Sequence, residues 1–97
     1  MGTRADFYVG RGVEAEWLGS TAWDGYPSGV EVVIAKGGNE VLYPTQNHWR
    51  TAVGDHLVSR NDGTLPKDGW PWPWDDSRTT DFAYAWDDGV IYVSRSE

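Results

Sequence analysis

Thr79-Thr-Asp-Phe-Ala-Tyr-Ala-Trp86-Asp-Asp-Gly89-Val-Ile-Tyr-Val-Ser94 is the stretch on which the fold turns. Thr80, Phe82, Tyr84 and Trp86 alternate with Asp81, Ala83 and Ala85, the two-residue period of a strand. Asp87-Asp88-Gly89 is a hairpin turn signal, and Val90 to Ser94 reads as the returning strand. The first strand carries large rings on one face and alanines on the other. Ala83 and Ala85 leave room for a helix to lie close. That places the helix on the alanine face and leaves the aromatic face to another cover.

A candidate cover stands just upstream. Gly69-Trp70-Pro71-Trp72-Pro73-Trp74-Asp75-Asp76 packs three of the seven tryptophans into five residues. Proline fixes φ and has no N–H, so this stretch is neither helix interior nor central strand. It reads as a stiff, extended segment that docks rings onto something. Three readings follow: a clamp over the sheet's own aromatic face, a stacking platform for a sugar, or part of a protein-binding surface, where tryptophan is enriched.

Outward from these segments the other elements follow. Ala5 to Val9 contains Phe7-Tyr8-Val9, good strand formers. Gly10-Arg-Gly12-Val-Glu14 is a glycine-rich turn, and Ala15 to Trp23 resumes as a strand, giving an N-terminal hairpin. Asp24-Gly25-Tyr26-Pro27-Ser28-Gly29 breaks the sheet. Val30 to Lys36 is β-rich by propensity. Ser28 as N-cap and Gly37-Gly38 as stop favour a short helix there instead. In Thr45 to Arg60 the residues Trp49, Ala52, Val53, His56 and Leu57 share one helical face. Thr45 is the natural N-cap, and Asn61-Asp62-Gly63 the stop.

The predicted fold class is α+β. A single domain over residues 1–97 holds one antiparallel sheet of about four strands, two hairpins, with one or two helices packed on one face. Trp17, Trp49, Val53, Leu57, Phe82, Tyr84, Ile91 and Val93 are the expected core. Trp23-Asp-Gly25, Trp74-Asp-Asp76 and Trp86-Asp-Asp-Gly89 recur as an aromatic followed by an acidic turn.

Composition bounds the function. The chain has 97 residues, no cysteine and a net charge of −7, so neither disulfides nor cysteine-held metal staple it. No apolar run reaches the ~18 residues of a membrane span, and the first residues lack an apolar signal-peptide core. A cytoplasmic protein that does not insert into membranes is expected. The acidity argues against direct nucleic-acid or anionic-membrane binding, both of which need a positive field. The charge is concentrated: between Asp68 and Gly89 six aspartates stand against Arg78 alone, among six aromatic residues. Arg78 is expected to neutralise Asp76 or Asp81.

No catalytic signature stands out, and the chain reads as a non-enzyme without cofactor. His48 and His56 lie about 12 Å apart along the predicted helix, too far to share a metal ion. The serines lack an elbow motif. Asp75-Asp76 and Asp87-Asp88 look like turn residues rather than a glycosidase pair. Gly10-Arg11-Gly12 is too short for a phosphate-binding fingerprint.

Two groups of residues carry a resemblance. One is Ala5-Asp-Phe-Tyr-Val-Gly-Arg-Gly12 with Ala15-Glu-Trp-Leu-Gly19 and Ala22-Trp-Asp-Gly-Tyr-Pro27. The other is Gly69-Trp-Pro-Trp-Pro-Trp-Asp-Asp-Ser-Arg-Thr-Thr-Asp-Phe-Ala-Tyr-Ala85. Together they resemble short proteins carried on bacterial prophages and integrative elements. The group brings no settled activity, so no catalytic residue is carried over. The resemblance implies a setting, a mobile element inside a bacterial host. Small acidic proteins of such elements are often inhibitors of host defence, of anti-CRISPR or anti-restriction type, that place carboxylates where phosphates would lie. The partner would then be a protein with a basic surface. Its expected contacts are Asp75, Asp76, Asp87 and Asp88, with Trp72, Trp74 and Arg78 beside them. A sugar or small ligand stacked on tryptophan, and a structural accessory role in the element, are the alternatives.

Overall fold

The structure is a computed structural model that describes residues 3–30 and 43–95. The strands are β1 (Ala5–Val9), β2 (Glu16–Thr21), β3 (Gly63–Thr64), β4 (Phe82–Asp87) and β5 (Val90–Arg95), with one helix, α1 (Gln46–Val58), among the described residues. The stretch expected as a short helix, Val30–Lys36, lies outside the described residues except for Val30, which is buried.

The α+β class holds, with one correction to the sheet. Among the described residues it has five strands in the order β3-β2-β1-β4-β5, and it is mixed. β1/β2 and β4/β5 are the two expected hairpins, but β1 and β4 join them in parallel, Ala5 beside Phe82 through Val9 beside Trp86. The fifth strand, β3, is two residues long and pairs antiparallel with the end of β2. The tight turn after β4 has positive φ at Asp88 (52°) and Gly89 (83°). That left-handed pair matches the twist of a two-residue hairpin.

Helix α1 begins where Thr45 caps it, its side chain accepting the His48 N–H at 3.3 Å. It ends before Asp62, which binds Arg60 (2.7 Å) and accepts the N–H groups of Ala22 (3.1 Å) and Trp23 (2.7 Å). That carboxylate ties the helix exit to the end of β2. Gly19 sits at the bulge of β2, where the register against β1 shifts. Its φ is +140°, and an added Cβ would stand 2.3 Å from Leu57 Cδ1 and 2.5 Å from the Thr64 carbonyl oxygen, so only glycine fits.

The covering of the two faces is the reverse of the expectation. Helix α1 packs on the aromatic face. Trp49, Val53 and Leu57 bury against Ala5, Phe7 and Tyr84. Phe7 stacks on Tyr84 at 5.5 Å and lies tilted against Trp49 at 6.3 Å. The alanine face, which β1 extends with Asp6 and Tyr8, receives the Trp-Pro segment instead. Large apolar area decides it: burying a ring stabilises far more than close approach over alanine. Two expected core residues move accordingly. Trp17 is half-buried on the Trp-Pro side against Trp70 (5.1 Å), and Val93 is 48% exposed on β5. Phe7, missing from the expected core, is fully buried.

His56 stands edge-on to Phe7 at 6.2 Å, with Nε2 buried and unpartnered among the described residues. Burial, reinforced by Arg60, holds its pKa below the usual 6.5, with Asp62 opposing. The unfolded chain therefore takes up a proton as pH falls through about 6.5 that the folded chain refuses. Stability is full above that pH and declines below it, until the lowered folded pKa is reached. Thermal unfolding followed from neutral to mildly acid pH should show this slope in the wild type. His56→Leu should flatten it.

Candidate functional site

Asp6 is the chemical centre of the alanine face. It is fully buried, and three hydrogen bonds converge on its carboxylate. Ser20 Oγ (2.6 Å) and Trp72 Nε1 (2.6 Å) donate to Oδ1, and Ser77 Oγ (2.5 Å) donates to Oδ2. The network extends outward: Trp17 Nε1 donates to Ser20 Oγ at 3.0 Å, and Tyr8 Oη lies 2.5 Å from Ser77 Oγ. Because Ser77 gives its proton to Asp6, the phenol is the donor in that last contact. Burial, and then the Asp6 and Asp76 carboxylates, push the Tyr8 pKa above its usual 10, against the opposing effect of the Ser77 contact, so it keeps the proton it donates. The strand period puts these groups together. Asp6 and Tyr8 share a face, and Ser20 is the cross-strand partner of Asp6.

The Trp-Pro segment is held on this face by its indole N–H groups. Trp70 donates to the Trp74 carbonyl (2.6 Å), Trp72 to Asp6, and Trp74 to buried Thr80 (2.8 Å). Trp72 and Trp74 stack at 5.5 Å, and the Arg4 guanidinium lies 5.9 Å and 5.6 Å from the two ring centroids. All three rings are half-buried, while Pro71 and Pro73 face solvent. The segment is thus a clamp, placed over the Asp6 network rather than over the aromatic face.

The clamp leaves part of the sheet uncovered. Beyond Ser77 a wide groove of about 640 Å³ opens over Ala83 and Ala85. Tyr8, Arg11, Ser77, Arg78 and Tyr92 are among the residues that line it. The Arg11 guanidinium sits 3.7 Å from the Tyr92 ring centroid.

Of the expected contact residues, Asp76 and Arg78 are brought to this groove. Asp76 caps the short turn Ser77–Thr79, accepting the Arg78 N–H at 2.9 Å, and pairs with the Arg78 side chain at 3.1 Å. Asp87 pairs with Arg11 at 3.4 Å. Asp81 pairs instead with Arg4, at 4.0 Å. Asp75 and Asp88 are exposed and form no ion pair among the described residues. Trp72 and Trp74 belong to the clamp. The Asp6–Ser20–Ser77 network is the feature that sequence reasoning missed. Its signal was present: an aspartate inside a strand, between Ala5 and Phe7, on the same face as Tyr8.

Comparison of the chain with protein-family models, with curated proteins and with solved structures finds no match.

Proposed function

We propose that this chain is a non-enzymatic binding protein that docks on a basic protein surface through the acidic turns at 75–76 and 87–88. One observation carries the reading: the Asp75-Asp76 turn is fastened to buried groups on both sides. Trp74 donates to Thr80 before it, and Ser77 donates to Asp6 after it. Carboxylates held by such a frame lose little freedom on binding, which lowers the cost of association. The second turn is a tight hairpin end, with Asp88 and Gly89 both in the left-handed region. Asp76 and Asp87 already face Arg78 and Arg11, so the uncompensated charges of the surface are Asp75 and Asp88. The resemblance to mobile-element proteins supports a partner that handles nucleic acid in host defence, blocked where its phosphates would lie.

The test begins with affinity capture from a bacterial lysate, followed by titration of the purified partner. Changing Asp75, Asp76, Asp87 and Asp88 to Asn should leave the fold intact. Asn is accepted at a helix cap and in the left-handed conformation of residue 88. The variant should bind more than tenfold more weakly, about 1.4 kcal/mol. Wild-type binding should fade as salt rises and compete with the partner's nucleic acid. Equal binding by the variant, together with indifference to salt, would refute the proposal.

The groove over Ala83 and Ala85 favours a second reading, a small polar ligand. Its volume suits one, and the Tyr8, Ser77 and Ser94 hydroxyls with two guanidinium groups offer hydrogen bonds. Tryptophan stacking plays no part there, since the indole rings belong to the clamp. Saturable binding of a saccharide that survives the fourfold Asn change would select this reading over the first.

A further inference from the structure

We infer that β5 is a pairing edge whose occupant is the β5 of a second copy, joined antiparallel about a two-fold axis at Tyr92. Among the described residues the sheet ends at β5. Proteins blunt such edges with short strands, bulges, proline, or charges within the strand. β5 has none of these. It is six residues long, runs in unbroken register along β4, and contains only Arg95 as a charge, at its end. Val90, Tyr92 and Val93 are 46%, 37% and 48% exposed. The opposite edge, β3, is only two residues long.

Backbone geometry then restricts the pairing. Asp87 and Val90 flank the two-residue turn and form its hydrogen-bonded pair. Bonding alternates along an antiparallel ladder, so Val90, Tyr92 and Ser94 direct their N–H and C=O groups to β4. Ile91, Val93 and Arg95 direct theirs to the open edge. Facing residues must also lie on the same side of the joined sheet. With the axis at Tyr92, Ile91 meets the partner's Val93 through a pair of backbone hydrogen bonds, twice over. Arg95 then lies across from the partner's Gly89, beside the partner's Asp88. Neither Arg95 nor Asp88 has an ion-pair partner among the described residues. An axis at Val93 would leave Asp88 beyond the end of the pairing. Charge complementarity therefore selects Tyr92. An isologous contact of this kind is self-limiting, because each copy has one such edge.

The strands alone bury less than the ~1,000 Å² of a firm interface, so the dimer is reversible. It is independent of the proposed basic partner, although Asp88 serves both surfaces. Sedimentation of the isolated protein at rising concentration and physiological salt tests it without any partner. The wild type should pass from monomer to dimer. Val93→Pro removes an outward N–H that β4 does not use, and proline is tolerated on that side of an edge strand. Arg95→Glu sets like charge against the partner's Asp88 and makes no change in the hairpin. Each variant should raise the dissociation constant at least tenfold while keeping the wild-type circular dichroism. Should Val93→Pro fail to fold, Arg95→Glu decides. A wild type that stays monomeric at millimolar concentration overturns the inference. So does a dimer that neither folded variant weakens.

Discussion

Trp49→Ala should lower stability by about 3–5 kcal/mol, the range for truncating a buried aromatic. The ring is fully buried where α1 crosses the sheet, between Phe7 at 6.3 Å and Tyr43 at 5.3 Å. Its Nε1 also donates to the Tyr8 carbonyl at 2.8 Å. Truncation opens a cavity and strips the partner from that carbonyl, two costs in one change. Domains of this size hold roughly 5–15 kcal/mol in all. At roughly 4–8 °C per kcal/mol, the unfolding midpoint should fall by tens of degrees. Val58→Ala, on the same helix but 71% exposed, should stay within about 0.5 kcal/mol. Urea denaturation of the two variants beside the wild type checks both values. A Trp49→Ala loss below about 1 kcal/mol would mean that the helix is not held by this contact.

What was legible in the sequence was local. Thr45 as cap and the spacing of Trp49, Val53 and Leu57 gave the helix, and the structure differs only by a shorter end. The alternation through Phe82, Tyr84 and Trp86, with Asp88-Gly89 as the turn, gave the second hairpin. The parallel pairing of β1 with β4 was not legible, because it joins residues some 77 positions apart, as in the Arg4–Asp81 contact, and no local propensity encodes it. β3 escaped because two residues, Gly63 and Thr64, carry no period. The exchange of faces has a clearer lesson. Small residues on a strand offer a seat for a helix, but the rings opposite have the greater need of cover. The alanine face could then accept a polar network, because Asp6 found three donors there. Of the candidate site, the turn aspartates were visible as turns and the pairing of Asp76 with Arg78 is local, but the pairing of Asp87 depends on Arg11, which only the folded chain brings near.

Asp6→Ala should be the most damaging change on the Trp-Pro side, costing about 3–5 kcal/mol, since each buried donor left without its acceptor costs about 1–3 kcal/mol. Three donors, on Ser20, Trp72 and Ser77, would face a void. Hydrogen bonds to a charged group contribute about 1.5–3 kcal/mol each, and deletion forfeits them together rather than as a sum. Asp6→Asn separates hydrogen bonding from packing. Its Oδ1 can still accept from Ser20 and Trp72. Its Nδ2 must donate to Ser77, whose hydroxyl then turns to the Tyr8 oxygen, reversing the outer half of the network. Neutral bonds replace charged ones, so a loss of about 1–2 kcal/mol is expected. The consequence for function follows from the same contacts. Trp72 and Ser77 flank Asp75 and Asp76, so freeing them loosens the acidic turn that the proposed partner would meet. Asp6→Ala should shift tryptophan emission toward that of a solvated ring even under conditions where the sheet persists, and should weaken partner binding although it removes no exposed charge. Asp6→Asn should largely restore both. If Asp6→Ala retains wild-type emission and stability within about 1 kcal/mol, the clamp is held by the Trp74–Thr80 hydrogen bond and by the contacts with Trp17 and Arg4, and the frame that presents the aspartates does not depend on Asp6.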